Sequence, residues 1–238
     1  MTQWMFYFDQ KRCLGCKTCT VACKEWNEGR RGDVLLHELD DKTLASLSTP
    51  LTWKAGETDH SWNGDFNRRF NMKETWRKVT FTEYGDRAPN VEVIPLSISC
   101  NHCSDPACMK VCPVKAITKE SKFGAVLVDS KKCIGCGACA KACPWEVPQY
   151  FEDITKSKVG EANHPRMTKC DMCVDRLQKG LKPVCVAACP GRALECLPAD
   201  EMKKVHPEAV RSAPGFPADK AKLTRPNIVF NPRRVTVK

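Results

Sequence analysis

Eleven residues, CLGCKTCTVAC from Cys13 to Cys23, carry four cysteines, the first three spaced by two residues and the last by three. The same spacing returns in CIGCGACAKAC from Cys133 to Cys143. A backbone that curls tightly enough to aim three thiols at one centre cannot turn a fourth, so near in sequence, onto that same centre. A chain built on such runs must therefore bring a remote segment to complete each centre, and must find another use for each fourth cysteine.

The two runs belong to a longer internal repeat. FDQKRCLGCKTCTVAC from Phe8 and VDSKKCIGCGACAKAC from Val128 superpose at a constant offset of 120 residues, with Asp9 on Asp129, Lys11 on Lys131, Gly15 on Gly135 and Ala22 on Ala142. A looser pair lies between and after them, CNHCSDPACMKVCPVKAI from Cys100 and CDMCVDRLQKGLKPVCVAACPGRAL from Cys170. Both loose motifs open with C-x2-C and close with C-x3-C-P, a basic residue, Ala and an aliphatic residue. The order tight, loose, tight, loose is that of a duplicated unit.

The chain has 17 cysteines in 238 residues, far more than packing requires. A secreted disulfide scaffold is the first competing explanation. The odd count leaves one thiol over, and the opening MTQWMFYFDQKRC shows no basic leader, apolar stretch or small-residue cleavage site. Zinc is the second, but structural zinc sites take two C-x2-C pairs each, and four-cysteine runs would crowd them. Iron-sulfur cubanes suit the pattern best. In two-cluster ferredoxins a C-x2-C-x2-C-x3-C-P run sends its fourth cysteine to the other cluster. The run at 133 to 144 fits at every defined position, whereas in the run at 13 Lys24 replaces the proline.

Reciprocal sharing then distributes sixteen cysteines over four 4Fe-4S clusters. Cys13, Cys16 and Cys19 pair with Cys189; Cys170, Cys173 and Cys185 pair with Cys23; Cys100, Cys103 and Cys108 pair with Cys143; Cys133, Cys136 and Cys139 pair with Cys112. Cys196 is left over as a small buried side chain. Gly15, Gly135 and Gly137 stand where backbone amides must approach cluster sulfides.

The formal charge of +10 counts every cysteine as neutral. Each oxidised cluster with its four sulfurs carries about −2, so four of them bring the balance to about +10 − 8 = +2. The basic excess therefore reads as compensation for buried cluster charge, not as a nucleic-acid site, with a basic docking face as the weaker alternative. No apolar run reaches the roughly eighteen residues needed to span a bilayer, since pieces such as GAVLV and VEVIPLSIS are strand-sized. The chain is expected to be soluble or to meet a membrane only through a partner.

The fold expected is α+β, with two pseudo-symmetric bacterial-ferredoxin-like lobes. Residues 1–30 with 160–200 form a split first lobe, 90–150 a compact second lobe inserted within it, 31–89 a connector, and 201–238 an extended tail. WMFYFD, AVLVD and VEVIPLSIS read as strands leading into motifs, short helices are expected after each fourth cysteine, and DRLQKGLKP reads as a helix stopped by Gly180 and Pro183.

With its motifs in this order, the chain resembles the four-cluster ferredoxin-like iron-sulfur subunits of molybdopterin oxidoreductases, a family serving dimethyl sulfoxide, nitrate, polysulfide and arsenate reductases and formate dehydrogenases. The dimethyl sulfoxide reductase branch is most similar. The strings that carry the likeness are CLGCKTCTVACKEW, PLSISCNHCSDPACMKVCP, HPRMTKCDMCVDRLQKGLKPVCVAACPGRALE and TRPNIVFNP, and it spans nearly the whole chain. The resemblance implies the same crossed ligand sharing. It also implies a relay of single electrons from a molybdopterin catalytic subunit towards a membrane quinone subunit or another redox partner. In the nitrate reductase branch a Trp stands at one position of the third motif and the cluster there has three irons; Cys136 stands there here, implying four complete cubanes. Location at the outer face of the cytoplasmic membrane, by export together with the catalytic subunit, is a further implication, with the cytoplasm as the alternative. One departure lies in the connector, where TWKAGETDHSWNGDFNRRF makes the segment from about Gly29 to Phe70 longer than in the most similar branch.

No nucleophile, phosphate-binding glycine loop or paired-carboxylate signature stands out, so no bond chemistry is expected. The rival functions are a free-standing polyferredoxin and a zinc-stabilised binding module. Among the five histidines, His102 and His164 adjoin cluster ligands and are candidates for tuning through hydrogen bonds, as are Lys17, Lys110, Lys131, Lys132 and Lys169 through charge. His37, His60 and His206 read as ordinary polar positions. Trp26 and Trp145, just past a fourth cysteine, are expected to shield clusters from water.

Overall fold

The stretch WMFYFD forms the strand expected of it, β1 (Trp4–Asp9), and is almost entirely buried because strands flank it on both sides. The computed structural model describes residues 2–27, 76–86, 89–150, 158–159, 161 and 164–237. Most of the connector, with His37 and His60, lies outside the described residues. β1 pairs antiparallel with β8 (Leu194–Pro198) and parallel with β9 (Ile228–Asn231), giving the order β8-β1-β9. Three further two-stranded sheets follow: β2 (Lys78–Gly85) with β3 (Val91–Ile98), β4 (Ile117–Lys119) with β5 (Val126–Val128), and β6 (Gln149–Tyr150) with β7 (Met167–Thr168), all antiparallel.

The sequence repeat reappears as a repeat of backbone contacts. In the sheet of β1, Phe8 sits opposite Leu194; in the sheet of β5, the matching Val128 sits opposite the matching Ile117. The Asp9 amide donates to the Ala193 carbonyl at 2.8 Å, and the Asp129 amide to the Ala116 carbonyl at 2.8 Å. Asp9 Oδ1 accepts the amides of Lys11 and Arg12, and Asp129 Oδ1 those of Lys131 and Lys132. These aspartates close the turn that follows each strand, the task for which a short carboxylate side chain is suited.

Four short helices carry the second half of each motif: α1 (Thr18–Asn27), α2 (Ala107–Lys110), α3 (Ala138–Ala142) and, after α4 (Val174–Gln178), α5 (Val184–Ala187). Expected after the fourth cysteines, they run instead from the third cysteine towards the fourth, because only there does the chain have room between the loop that precedes it and the proline that follows. Pro113, Pro144 and Pro190 each disfavour helix at the cysteine before them. Where Lys24 replaces that proline, α1 continues to Asn27 and is 10 residues long against 4 or 5 for the others.

The C-terminal segment departs from the extended tail expected. It folds into α6 (Ala199–Val205), α7 (Ala218–Thr224) and β9, and Phe230 in β9 is completely buried against Phe216. The prolines have another role: Pro198 and Pro217 precede helices, a position where a fixed φ helps, and do not mark open chain. One core cluster runs from Phe6, Phe8 and Phe230 through Trp76, Leu96 and Trp145 to the cysteines at 19, 23, 100, 103, 170 and 185.

Candidate metal centres

A helix rises about 6 Å over four residues, so the third and fourth cysteines of a motif share one face but lie a turn apart. Cys19 and Cys23 on α1 are so placed. The geometry lets each helix feed two separate sites. Cys13, Cys16, Cys19 and Cys189 line one cavity of about 340 Å³. Cys100, Cys103, Cys108 and Cys143 line a second, of about 320 Å³. Cys112, Cys133, Cys136 and Cys139 line a third, of about 310 Å³. Each cavity takes three cysteines from one motif and one from another. The remaining four, Cys23, Cys170, Cys173 and Cys185, are all buried, and electrostatic coupling links Cys185 to Cys23 and to Cys173, and Cys170 to Cys23 and to Cys173.

Nine of the seventeen thiols are buried, and only Cys16 and Cys136 are exposed. Burial pushes Cys13 and Cys103 up to about 11 and Cys23 and Cys108 up to about 12, with Cys170 and Cys173 raised further. Cys16 goes the other way, lowered by hydrogen bonds from Thr18 in an exposed setting. Such thiols are neutral until a metal displaces their protons, which suits a site completed by its cofactor. Among the described residues no three Cys, His, Asp or Glu side chains gather tightly enough for a single metal ion. Cubanes hold four thiolates farther apart than one ion does, and four cysteines around each cavity, three from one motif and one from another, are the donor set that 4Fe-4S clusters take.

The loops are shaped by residues of left-handed backbone at matched positions: Gly15 and Gly135, Lys17 and Gly137, His102 and Met172, Lys115 and Arg192. Gly135 has no alternative, since a Cβ there would lie 2.3 Å from the Pro165 carbonyl oxygen and 2.4 Å from the His164 ring. Backbone amides also turn towards sulfur at matched places, Ala116 to Cys112 and Ala193 to Cys189, both at 3.3 Å.

The other candidates divide. His102 is fully buried and its Nδ1 accepts the Val126 amide at 2.9 Å, which pins the loop to β5; burial holds its pKa well below the usual range. His164 faces the Gly135 carbonyl at 3.2 Å, and His206 stacks on Tyr7 and meets Glu195. Lys169 is buried and donates to the carbonyls of Val126 and Cys170. Burial lowers its pKa, yet the thiols of Cys100, Cys108 and Cys170 more than reverse this. Lys110 and Lys132 pair with Asp105 and Asp129 at the surface. Trp145 lines the second cavity, whereas Trp26 is 40% exposed and carries Arg176 on its ring. Cys196 is buried beside Phe6 in the sheet.

Three contributors give no sign of themselves in the sequence. Arg77 is buried between motifs, Thr224 hydroxyl meets both Cys103 Sγ at 3.3 Å and Trp145 Nε1 at 3.0 Å, and Tyr150 hydroxyl lies 3.4 Å from Cys139 Sγ. None carries a local signal, because each acts from a segment outside the motif of its cysteine.

Residues 91–197 match the 4Fe-4S dicluster domain and residues 4–25 a 4Fe-4S binding domain. Together with the cysteine cavities, the matches define the class: a 4Fe-4S protein of mixed α and β structure. The B subunit of anaerobic dimethyl sulfoxide reductase from Haemophilus influenzae is 36% identical over 234 residues, which are 98% of this chain and 91% of that protein. Its counterpart in Escherichia coli K12 is 39% identical over 231 residues, 97% and 89% of the two proteins. The formate dehydrogenase-O iron-sulfur subunit of Escherichia coli K12 is 29% identical over 202 residues, 85% of this chain and 55% of that subunit. The chain belongs to the family of dimethyl sulfoxide reductase iron-sulfur subunits.

Proposed function

We propose that the chain conducts single electrons through four 4Fe-4S clusters between a molybdopterin catalytic subunit and a membrane quinone subunit or other redox partner, and catalyses no bond chemistry itself. Three cavities, each lined by four cysteines drawn from two motifs, carry the reading. When bound, each cluster supplies a one-electron store. The ligand sets are those of the crossed pairing, with Cys23, Cys170, Cys173 and Cys185 as the fourth.

The sets follow one another in space. α1 and α5 link the set of Cys13 to that of Cys170, coupling between Cys170 and Cys100 links the second to the third, and α2 and α3 link the third to that of Cys133. Cys16 and Cys136, in the first and last sets, are exposed, which suits electron entry and exit at opposite ends of the series. Two ferredoxin-like lobes, 1–30 with 160–200 and 90–150, account for the repeated strand registers around β1 and β5. Among the described residues no helix is long and apolar enough to cross a membrane, so quinone contact falls to a partner.

Anaerobically purified protein should contain about 16 iron and 16 acid-labile sulfide per chain. Its reduced spectrum should show four interacting paramagnets by electron paramagnetic resonance. A colourless chain holding a few zinc ions would defeat the reading.

A further inference from the structure

Arg77 is 1% exposed, and its guanidinium donates to two neutral hydroxyls, Ser97 Oγ at 3.1 Å and Ser99 Oγ at 2.8 Å, while Nε has no hydrogen-bond partner among the described residues. Its flat face lies on the Phe6 ring, 4.9 Å from the centroid. A buried cation held by hydroxyls and an aromatic ring is costly unless negative charge lies close by. The residues around it show where that charge would be. Ser97, which Arg77 bonds, is itself 3.3 Å from Cys19 Sγ and lines the cavity of Cys13, Cys16, Cys19 and Cys189. The amide of the preceding residue, Trp76, hydrogen-bonds the Cys23 thiol, which belongs to the neighbouring set. Arg77 therefore stands at the joint between two sets of cluster ligands. The guanidinium is charged at any physiological pH; burial alone would lower its pKa, and negative charge on the sulfurs of Cys185, Cys19, Cys170 and Cys23 turns the shift upward once those sulfurs are thiolates.

We propose that Arg77 is a shared electrostatic group for the clusters of Cys13 and of Cys170, offsetting their negative charge and favouring the reduced form of both. The inference rests on the four-cluster reading above. Reduction adds one electron to a cluster, delivered by its neighbour in the series, and makes an already negative centre more so. A fixed cation in a low-dielectric joint stabilises that state more than the oxidised one. Serving two clusters at once, it raises both potentials together and keeps the step between them small. β2 and β3 hold it there: Arg77 immediately precedes β2, while Ser97 lies in β3 and Ser99 just after it.

The test is a redox titration of the holoprotein followed by electron paramagnetic resonance, with iron and sulfide measured first. In fully loaded Arg77→Gln the potentials of the Cys13 and Cys170 clusters should both fall, while that of the Cys133 cluster stays put. Arg77→Lys should restore most of the loss. If Arg77→Gln fails to load those two clusters, restoration of loading by Arg77→Lys supports the role of charge. Failure of Lys to restore it overturns that role in favour of guanidinium shape. Unmoved potentials in a loaded Gln variant, or an equal fall in all four clusters, also overturn the proposal. Unmutated protein without about 16 iron would defeat the four-cluster reading itself, so the two failures are distinguishable.

Discussion

Cys23 shows how little a residue's neighbours in sequence say about its partners in space. It follows Cys19 by one helical turn, yet Cys185 and Cys170, far along the chain, lie close enough to interact with it electrostatically. Replacing it should therefore damage a distant site. Cys23→Ala is expected to lose or convert the cluster of Cys170, Cys173 and Cys185, leaving that of Cys13, Cys16 and Cys19 assembled. Cluster-resolved electron paramagnetic resonance measures this, and loss of the Cys13 cluster first would refute the crossed pairing. The grouping of cysteines is legible because their spacing is a geometric instruction. Arg77, Ser97, Thr224 and Tyr150 are not legible, since one Arg, Ser, Thr or Tyr in a loop or strand has no spacing to give it away.

Among the elements, β9 carries the largest surprise. Prolines at 214, 217, 226 and 232 suggest open chain, but between them VFN extends the β1 sheet and Phe230 fills the core. The strand is readable only as IVF, three apolar residues, too short to distinguish from chance. Its partner β1 stands nearly the full length of the chain away. Phe230→Ala should cost about 3–5 kcal/mol, as for a fully buried aromatic, and lower the thermal midpoint of the holoprotein. A change within error would mean that β9 is peripheral. The helices teach a complementary lesson. Their existence follows from the motifs, but their bounds are set by the proline after each fourth cysteine, and the lone exception at Lys24 yields the longest of the four.

For the whole molecule, the proposed cluster ligands and the core are one structure, since Cys19, Cys23, Cys100, Cys103, Cys170 and Cys185 belong to the same packed group as Phe6, Phe8 and Trp145. Stripping iron should leave a chain whose stability depends on keeping those thiols protonated. The folded pKa values of Cys19, Cys23, Cys103 and Cys170 lie above the unfolded value of about 8.5, so the contribution is full below that pH. It is lost as pH rises towards the values of about 11 for Cys13 and Cys103 and about 12 for Cys23 and Cys108. Circular dichroism of the reduced, chelated protein should thus show unfolding between about pH 8.5 and 11, while the loaded protein holds its structure over that range. Equal alkaline sensitivity of the two forms would break the link between clusters and core.

By itself the sequence determined the class of metal centre and the number of motifs, and it suggested how their cysteines are shared. Thiol ligation is a local geometry that must be written in residue spacing, and a duplicated unit repeats that spacing twice. The tertiary structure alone decided what surrounds those thiols: the strand that seals the sheet from the far end of the chain, the helix that brings Thr224 beside Cys103, and the arginine lodged between two sets of ligands. Packing and burial arise between segments remote in sequence, and a buried charge acquires meaning only when the groups facing it are known.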